Sequence, residues 1–246
     1  MPSPSTRPQL APGSVAKSLV QALAGAVSAT LLVSGCQTLD DAGRVLSRSE
    51  LVNDLAARLE SATQLTYSAD YQLADGATGS IAQAQEPRRA SYSYPGGKIM
   101  MNAEATARCS TANAPATCTL EPPPAPGTRP PLTSVSAASQ AGLVTPPVVI
   151  ALLTDTALDQ EAVVEQEDTT VAGRHATCVQ VSEAANAAAS SFYACVTDDG
   201  ILGSFRGSLD GKEVDTALTR YRDAVDGTAF DMPEGAGVVD RRTARD

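Results

Sequence analysis

The side chains able to do chemistry are five cysteines, one histidine and a run of acids. Cys109, Cys118, Cys178 and Cys195 offer thiols that could attack, ligate a metal or pair. Their spacing lacks the close CxxC pattern of a zinc site, and usable histidine ligands are missing. His175 stands beside Arg174 at a strand start, where a surface residue is expected rather than a base. No nucleophile elbow with a serine and no glycine loop for phosphate occurs. The acids Asp155, Asp159, Glu161, Glu165, Glu167 and Asp168 do not follow the calcium-loop pattern, so a solvated face is expected. These residues predict neither an enzyme nor a bound metal or cofactor. An even number of cysteines suits two disulfides. Of three possible pairings, Cys109–Cys118 with Cys178–Cys195 is favoured, because each pair flanks a hairpin-like turn.

Cys36 stands apart from these four. Lys17 and Arg7 precede an uncharged apolar run from Ser18 to Val33. A basic start, a short apolar core and a small-residue exit predict a secretory signal peptide. The run is too short and too rich in small residues for a permanent span. Val33-Ser34-Gly35-Cys36 resembles a bacterial lipobox. The resemblance implies a diacylglyceryl group on the Cys36 thiol, cleavage before it, and an extracytoplasmic protein held on the cell membrane. A chance cysteine after an ordinary signal peptide is the alternative.

Residues 1–35 are thus expected to be removed and 36–47 to serve as a lipidated tether. The remainder is long enough for one large domain or two small ones. Removal of residues 1–35 takes away Arg7 and Lys17 but no acid, so the mature chain is more acidic than the net −10 of the whole chain. Without a basic cluster, nucleic acid is excluded as a partner and electrostatic docking on anionic lipid is disfavoured. Membrane contact must then come through the lipid on Cys36.

Those cysteines need elements to hold them. Val45, Leu46, Leu51, Val52, Leu55 and Leu59 recur with a helical period, predicting a helix over about 48–62. The period then falls to two. Tyr67, Ala69, Tyr71 and Leu73 alternate with polar residues, and strands follow through Ile81 to about Glu86 and around Tyr92 and Tyr94. Met101, Ala103, Ala105, Ala107 and Cys109 continue the alternation, giving an antiparallel meander with one wet face. Pairing Cys109 with Cys118 would set Ala107 opposite Leu120. Residues 121–147, rich in proline, serine and alanine, are expected to be a linker or long loop. Pro146-Pro147 can open a second helix, Val148 to about Leu158.

Strands resume at Val163–Val171 and Arg174–Glu183. If Cys178 faces Cys195, then Val179 faces Ala194, Val181 faces Phe192 and Thr177 faces Val196, a mostly apolar face. Asp198-Asp199-Gly200 and Asp210-Gly211 are hairpin signals. Over 214–225 the period favours a helix, whereas the position after two hairpins favours a strand. Thr228–Met232 reads as a last strand, and the polar end, 241–246 in particular, as a frayed tail.

The order of elements, Asp199-Gly200-Ile201-Leu202 at a hairpin and Phe230-Asp231-Met232-Pro233 near the end resemble the lipoprotein carrier superfamily. This comprises the LolA/LolB fold and its relatives of the LppX–LprG type. The resemblance implies one α+β domain over 48–240: a curved antiparallel sheet, or half-barrel, with a few helices on its concave face. It also implies an apolar cavity between them for a lipid or acyl chain. Candidate lining residues are Tyr67, Tyr71, Leu73, Ile81, Tyr92, Met101, Leu152, Leu153, Phe192, Val196 and Phe205. The alternative is that they close on one another as an ordinary core, leaving an envelope interaction or sensor lipoprotein with no cavity.

Overall fold

The computed structural model describes residues 34–125, 131–185 and 187–242. The apolar run Ser18–Val33 lies outside them, as does the expected signal peptide apart from its last two residues. Residues 1–44 and Val45–Asp246 form separate units. The described part of the first, 34–44, is helical, so the stretch read as a tether begins α1 (Ser34–Ser61). No described helix is long and apolar enough to cross a membrane.

Twelve strands form one sheet. The first meander comprises β1 (Tyr67–Leu73), β2 (Thr78–Gln85), β3 (Arg88–Tyr94), β4 (Gly97–Asn102), β5 (Thr106–Ser110) and β6 (Thr117–Glu121). Helices α2 (Leu132–Gln140) and α3 (Pro146–Leu158) carry the chain to the opposite edge. A second meander follows: β7 (Val163–Val171), β8 (Arg174–Ser182), β9 (Phe192–Thr197), β10 (Leu202–Leu209) and β11 (Lys212–Arg222). Strand β11 pairs with β1 and joins the two meanders, and β12 (Gly237–Asp240) returns to lie parallel against β6. The spatial order is β12-β6-β5-β4-β3-β2-β1-β11-β10-β9-β8-β7. The sheet is open, with β12 and β7 as edges, and the fold is the α+β class expected from the sequence.

Helices lie on one face. Val52, Leu55, Ala56 and Leu59 of α1, spaced for one helical stripe, join Val149, Ile150, Leu152 and Leu153 of α3. Together they pack on Val179, Val181, Phe192, Ala194, Val196 and Phe205 of the sheet. A second cluster sets Val135 and Ala138 of α2 against Tyr67, Tyr71, Ile81, Tyr92 and Met101. Successive side chains alternate between faces, which places Cys109 and Cys118, and likewise Cys178 and Cys195, on the opposite face.

Several expectations are corrected. The alternation over Met101–Cys109 is two strands, not one. A turn intervenes where the Asn102 side chain accepts hydrogen bonds from the backbone N–H groups of Glu104 and Ala105 at 2.8 and 2.9 Å. The 121–147 stretch contains α2. Residues 214–225 are mainly strand: Val214, Thr216 and Leu218 point to the helix side. Opposite the Asp70/Tyr71 step the ladder then shifts, leaving Thr219 as the extra residue. That bulge advances the next apolar side chain to Tyr221, and the resulting spacing imitates a helix. Gly227–Phe230 is a 3-10 turn rather than a strand, opened by Asp226 accepting from the Thr228 N–H at 2.9 Å. The tail holds β12, and Arg241 extends its pairing by donating to the Leu120 carbonyl at 2.8 Å. Residues 243–246 lie outside the described residues.

Candidate functional site

The helix-side interface is built from α1, α3 and the second meander, with α2 over the first. Pro146 and Pro147 open α3 where their missing N–H groups cost nothing. No residue of its first two turns is exposed, because α1 lies on one side and the sheet on another. The helix is fastened at both ends. At its start, Thr216 on β11 is fully buried; its hydroxyl donates to the Gly142 carbonyl at 2.8 Å and accepts from the Val144 N–H at 3.2 Å. At its end, Arg48 of α1 donates to the carbonyls of Asp159, at 2.8 Å, and Ala162. A guanidinium there also faces the negative end of the α3 dipole.

The structure brings the proposed lining residues onto this one face, in two groups. Leu152, Leu153, Phe192, Val196 and Phe205 share the cluster under α1 and α3, where the rings of Phe192 and Phe205 stack at 5.8 Å. Tyr67, Tyr71, Leu73, Ile81, Tyr92 and Met101 belong to the cluster under α2. All are buried. The Tyr71 hydroxyl donates to the Leu202 carbonyl at 3.0 Å, across the seam between the meanders. Burial pushes the Tyr92 hydroxyl up to about 12 and raises those of Tyr67 and Tyr71, neighbouring tyrosines adding to the effect for the latter two.

Both disulfides are present, Cys109–Cys118 and Cys178–Cys195, each between directly opposed residues of adjacent strands. The register expected around them holds: Ala107 faces Leu120, Val179 faces Ala194, Val181 faces Phe192 and Thr177 faces Val196.

Polar groups gather elsewhere. His175 is largely exposed, with Nδ1 3.2 Å from an Asp198 carboxylate oxygen. Arg174 pairs with Asp199 and lies 4.2 Å over the Tyr221 ring. Of the acids, Asp159 is buried and accepts from the Glu161 N–H at 2.9 Å, which corrects its place on a solvated face. Glu165, Glu167 and Asp168 are exposed on β7. Glu167 accepts from the Tyr193 hydroxyl, and burial together with that bond raises Tyr193 to about 12. Tyr193 and Glu167 line an open polar cleft of about 870 Å³ with Glu165, Gln180, Arg206 and Glu213. Of the proposed lining residues, only Phe192 borders it. Among the described residues no group of three or more His, Cys, Asp or Glu is placed to hold a metal.

No family model matches the chain, and no curated protein matches it. Solved structures do. The chain is similar to an uncharacterized conserved protein from Thermus thermophilus, at 9% identity over 77% of this chain and 98% of that one, with TM-score 0.46. It is similar to MucB, at 11% identity over 74% of this chain and 63% of MucB, with TM-score 0.42. A third similar structure is a DUF1329 family protein from Desulfovibrio piger, at 9% identity over 74% and 96% of the two chains, with TM-score 0.30.

Sequence reading missed Arg48, Thr216 and the Arg174–Tyr221 stack. Each depends on contacts across more than 40 residues, for which a single sequence carries no local signal.

Proposed function

We propose that this is an extracytoplasmic lipoprotein, anchored through lipid on Cys36, that binds an acyl chain between its helices and its sheet. The observation that carries the reading is α3. The interface it makes with α1 and the second meander is a continuous cluster of aliphatic and aromatic side chains, with the Arg48 guanidinium confined to the end of α3. An acyl chain entering there would gain about 0.8 kcal/mol per buried CH₂. The element order and the lipobox-like Val33-Ser34-Gly35-Cys36 support the same reading. Binding is partition rather than reaction, so no catalytic residue is assigned.

A second reading, an interaction lipoprotein with a filled core, is favoured by one observation: the lining residues are buried against one another. Native mass spectrometry of the purified lipoprotein, with uptake of a fluorescent fatty-acyl probe, separates the two. Bound lipid or saturable uptake supports the first. The lack of both, with a protein partner recovered instead, establishes the second.

A further inference from the structure

We propose that β7 is a docking edge for an extended protein segment carrying Lys or Arg at alternate positions, which adds to the sheet as one more strand. The inference does not rest on Cys36, and it holds whether the helix-side face takes an acyl chain or is filled.

Strand β7 ends the sheet, and among the described residues no strand lies beyond it. Its nine residues pair with β8 without a register shift. The two strands are joined by the two-residue turn Ala172-Gly173, both residues at positive φ. Across such a turn Val171 and Arg174 exchange both of their backbone hydrogen bonds. The odd-numbered residues of β7 therefore bond to β8. Val164, Gln166, Asp168 and Thr170 direct their backbone N–H and C=O groups outward, a template for a further strand. Proline, lysine and a bulge, the devices that most often close an edge, are missing from β7. The opposite edge, β12, offers only four residues.

Charge decides the occupant. Strand β7 carries Glu165, Glu167 and Asp168 and no base. Glu165 and Glu167 stand opposite Gln180 and Cys178, on the face away from the helices, and border the open polar cleft. The nearby bases are engaged: Arg206 pairs with Asp215 at 3.2 Å, and Arg174 pairs with Asp199. A second copy of the chain fits badly. Antiparallel β7–β7 pairing centred on Gln166 would set Glu165 opposite Glu167 twice, and centred on Glu167 it would set that residue against itself. Like charges directly opposite destabilise a strand pair. An extended cationic segment meets the same carboxylates with the opposite sign. Its side chains alternate between faces, so Lys or Arg at every second position falls beside Glu165 and Glu167. Main-chain bonds then give the affinity and the carboxylates choose the partner.

The probe is a synthetic peptide alternating threonine and lysine, matched to the nine residues of β7, with a threonine–glutamate peptide as control. Each is titrated into the full-length protein in detergent. The lysine peptide should bind saturably, slow amide exchange at Val164, Gln166, Asp168 and Thr170, and leave β12 unchanged; the glutamate peptide should not bind. Gln166→Pro removes an outward N–H and leaves the bonds to β8 in place. It should weaken binding at least about tenfold. Glu165→Gln/Glu167→Gln keeps an acceptor for the Tyr193 hydroxyl. It should weaken binding roughly threefold or more and flatten its salt dependence. Should Gln166→Pro lose the far-ultraviolet signature of the sheet, the double variant carries the test alone. The proposal is overturned by absent saturable binding, by equal binding of the two peptides, or by protection elsewhere than β7. Self-association of the protein that protects these same amides overturns it too, since the occupant is then a second copy.

Discussion

Gly200 in the β9–β10 turn lies directly beneath the backbone carbonyl of Arg58 in the last turn of α1. A Cβ at position 200 would overlap that oxygen, and the backbone there has φ +80°, which side-chain-bearing residues rarely adopt. This hairpin tip therefore seats α1 on the sheet, helped by Arg58 lying 3.7 Å from the Asp198 carboxylate. Gly200→Ala should cost more than about 2 kcal/mol, because strain and backbone overlap act together. Chemical denaturation of the two proteins measures it. A loss under about 0.5 kcal/mol would show that α1 tolerates displacement at this end.

The two disulfides should differ in worth. Cys178 and Cys195 are 17 residues apart and Cys109 and Cys118 only 9, so the first restrains the unfolded chain more. The chain-entropy model gives about 3 kcal/mol for the longer loop and about 2.5 for the shorter. Cys178→Ala/Cys195→Ala should lower the denaturation midpoint slightly more than Cys109→Ala/Cys118→Ala, while both proteins keep the far-ultraviolet signature of the sheet.

The strands around these cysteines were legible because a cross-strand pair fixes register, and register alternation then assigns every neighbour to a face. Two hairpins with Asp-Gly turns and the Pro-Pro start of α3 were legible for the same local reasons. What failed was non-local. The bulge that places Thr219 between Asp70 and Tyr71 partners gave β11 a helical spacing, since the sequence of β11 does not show what it pairs with. Alanines at 103 and 105 continued a period of two through a turn that the Asn102 side chain makes. Strand β12 has only four residues, and its pairing with β6 depends on the chain crossing the whole first meander. Of the candidate site, the residues facing the helices were readable from alternation, but whether they enclose a ligand depends on how closely α3 approaches the sheet.

Stability should fall at alkaline pH. An unfolded tyrosine ionises near 10, while buried Tyr92 is held neutral until about 12 and Tyr67 and Tyr71 are raised as well. Below pH 10 both states carry neutral tyrosines and these residues contribute no pH dependence. Above it, ionisation favours the unfolded chain, and for Tyr92 alone the loss reaches about 3 kcal/mol by the time the pH passes its folded value. Denaturant midpoints measured between neutral pH and pH 11 should be level at first and then decline. Tyr92→Phe should lessen the decline.

Thr216 tests how α3 is mounted. Its hydroxyl bridges two backbone groups of the α2–α3 connection in a fully buried site. Thr216→Val keeps the shape and removes both bonds, leaving a buried carbonyl and N–H without this partner. A cost of about 1–3 kcal/mol is expected. Amide exchange should quicken at Val144 and through the first turn of α3 more than in α1, since α1 has no bond to this residue. Uniform quickening would show that α3 is mounted by its apolar contacts alone.

Leu153 decides between the two functional readings most directly. It is fully buried in the cluster that α1, α3 and the second meander share. Truncation to alanine removes aliphatic contacts and leaves a dry space where an acyl chain is proposed to lie. Stability should drop by about 2–5 kcal/mol. If chains enter between α3 and the sheet, the same variant should bind a fluorescent fatty-acyl probe more tightly than the native protein, because part of the displacement of core side chains has already been made. Saturating probe should then restore a portion of the lost stability through linkage. Destabilisation with no gain in probe binding would mean that the helix-side face is core and nothing more.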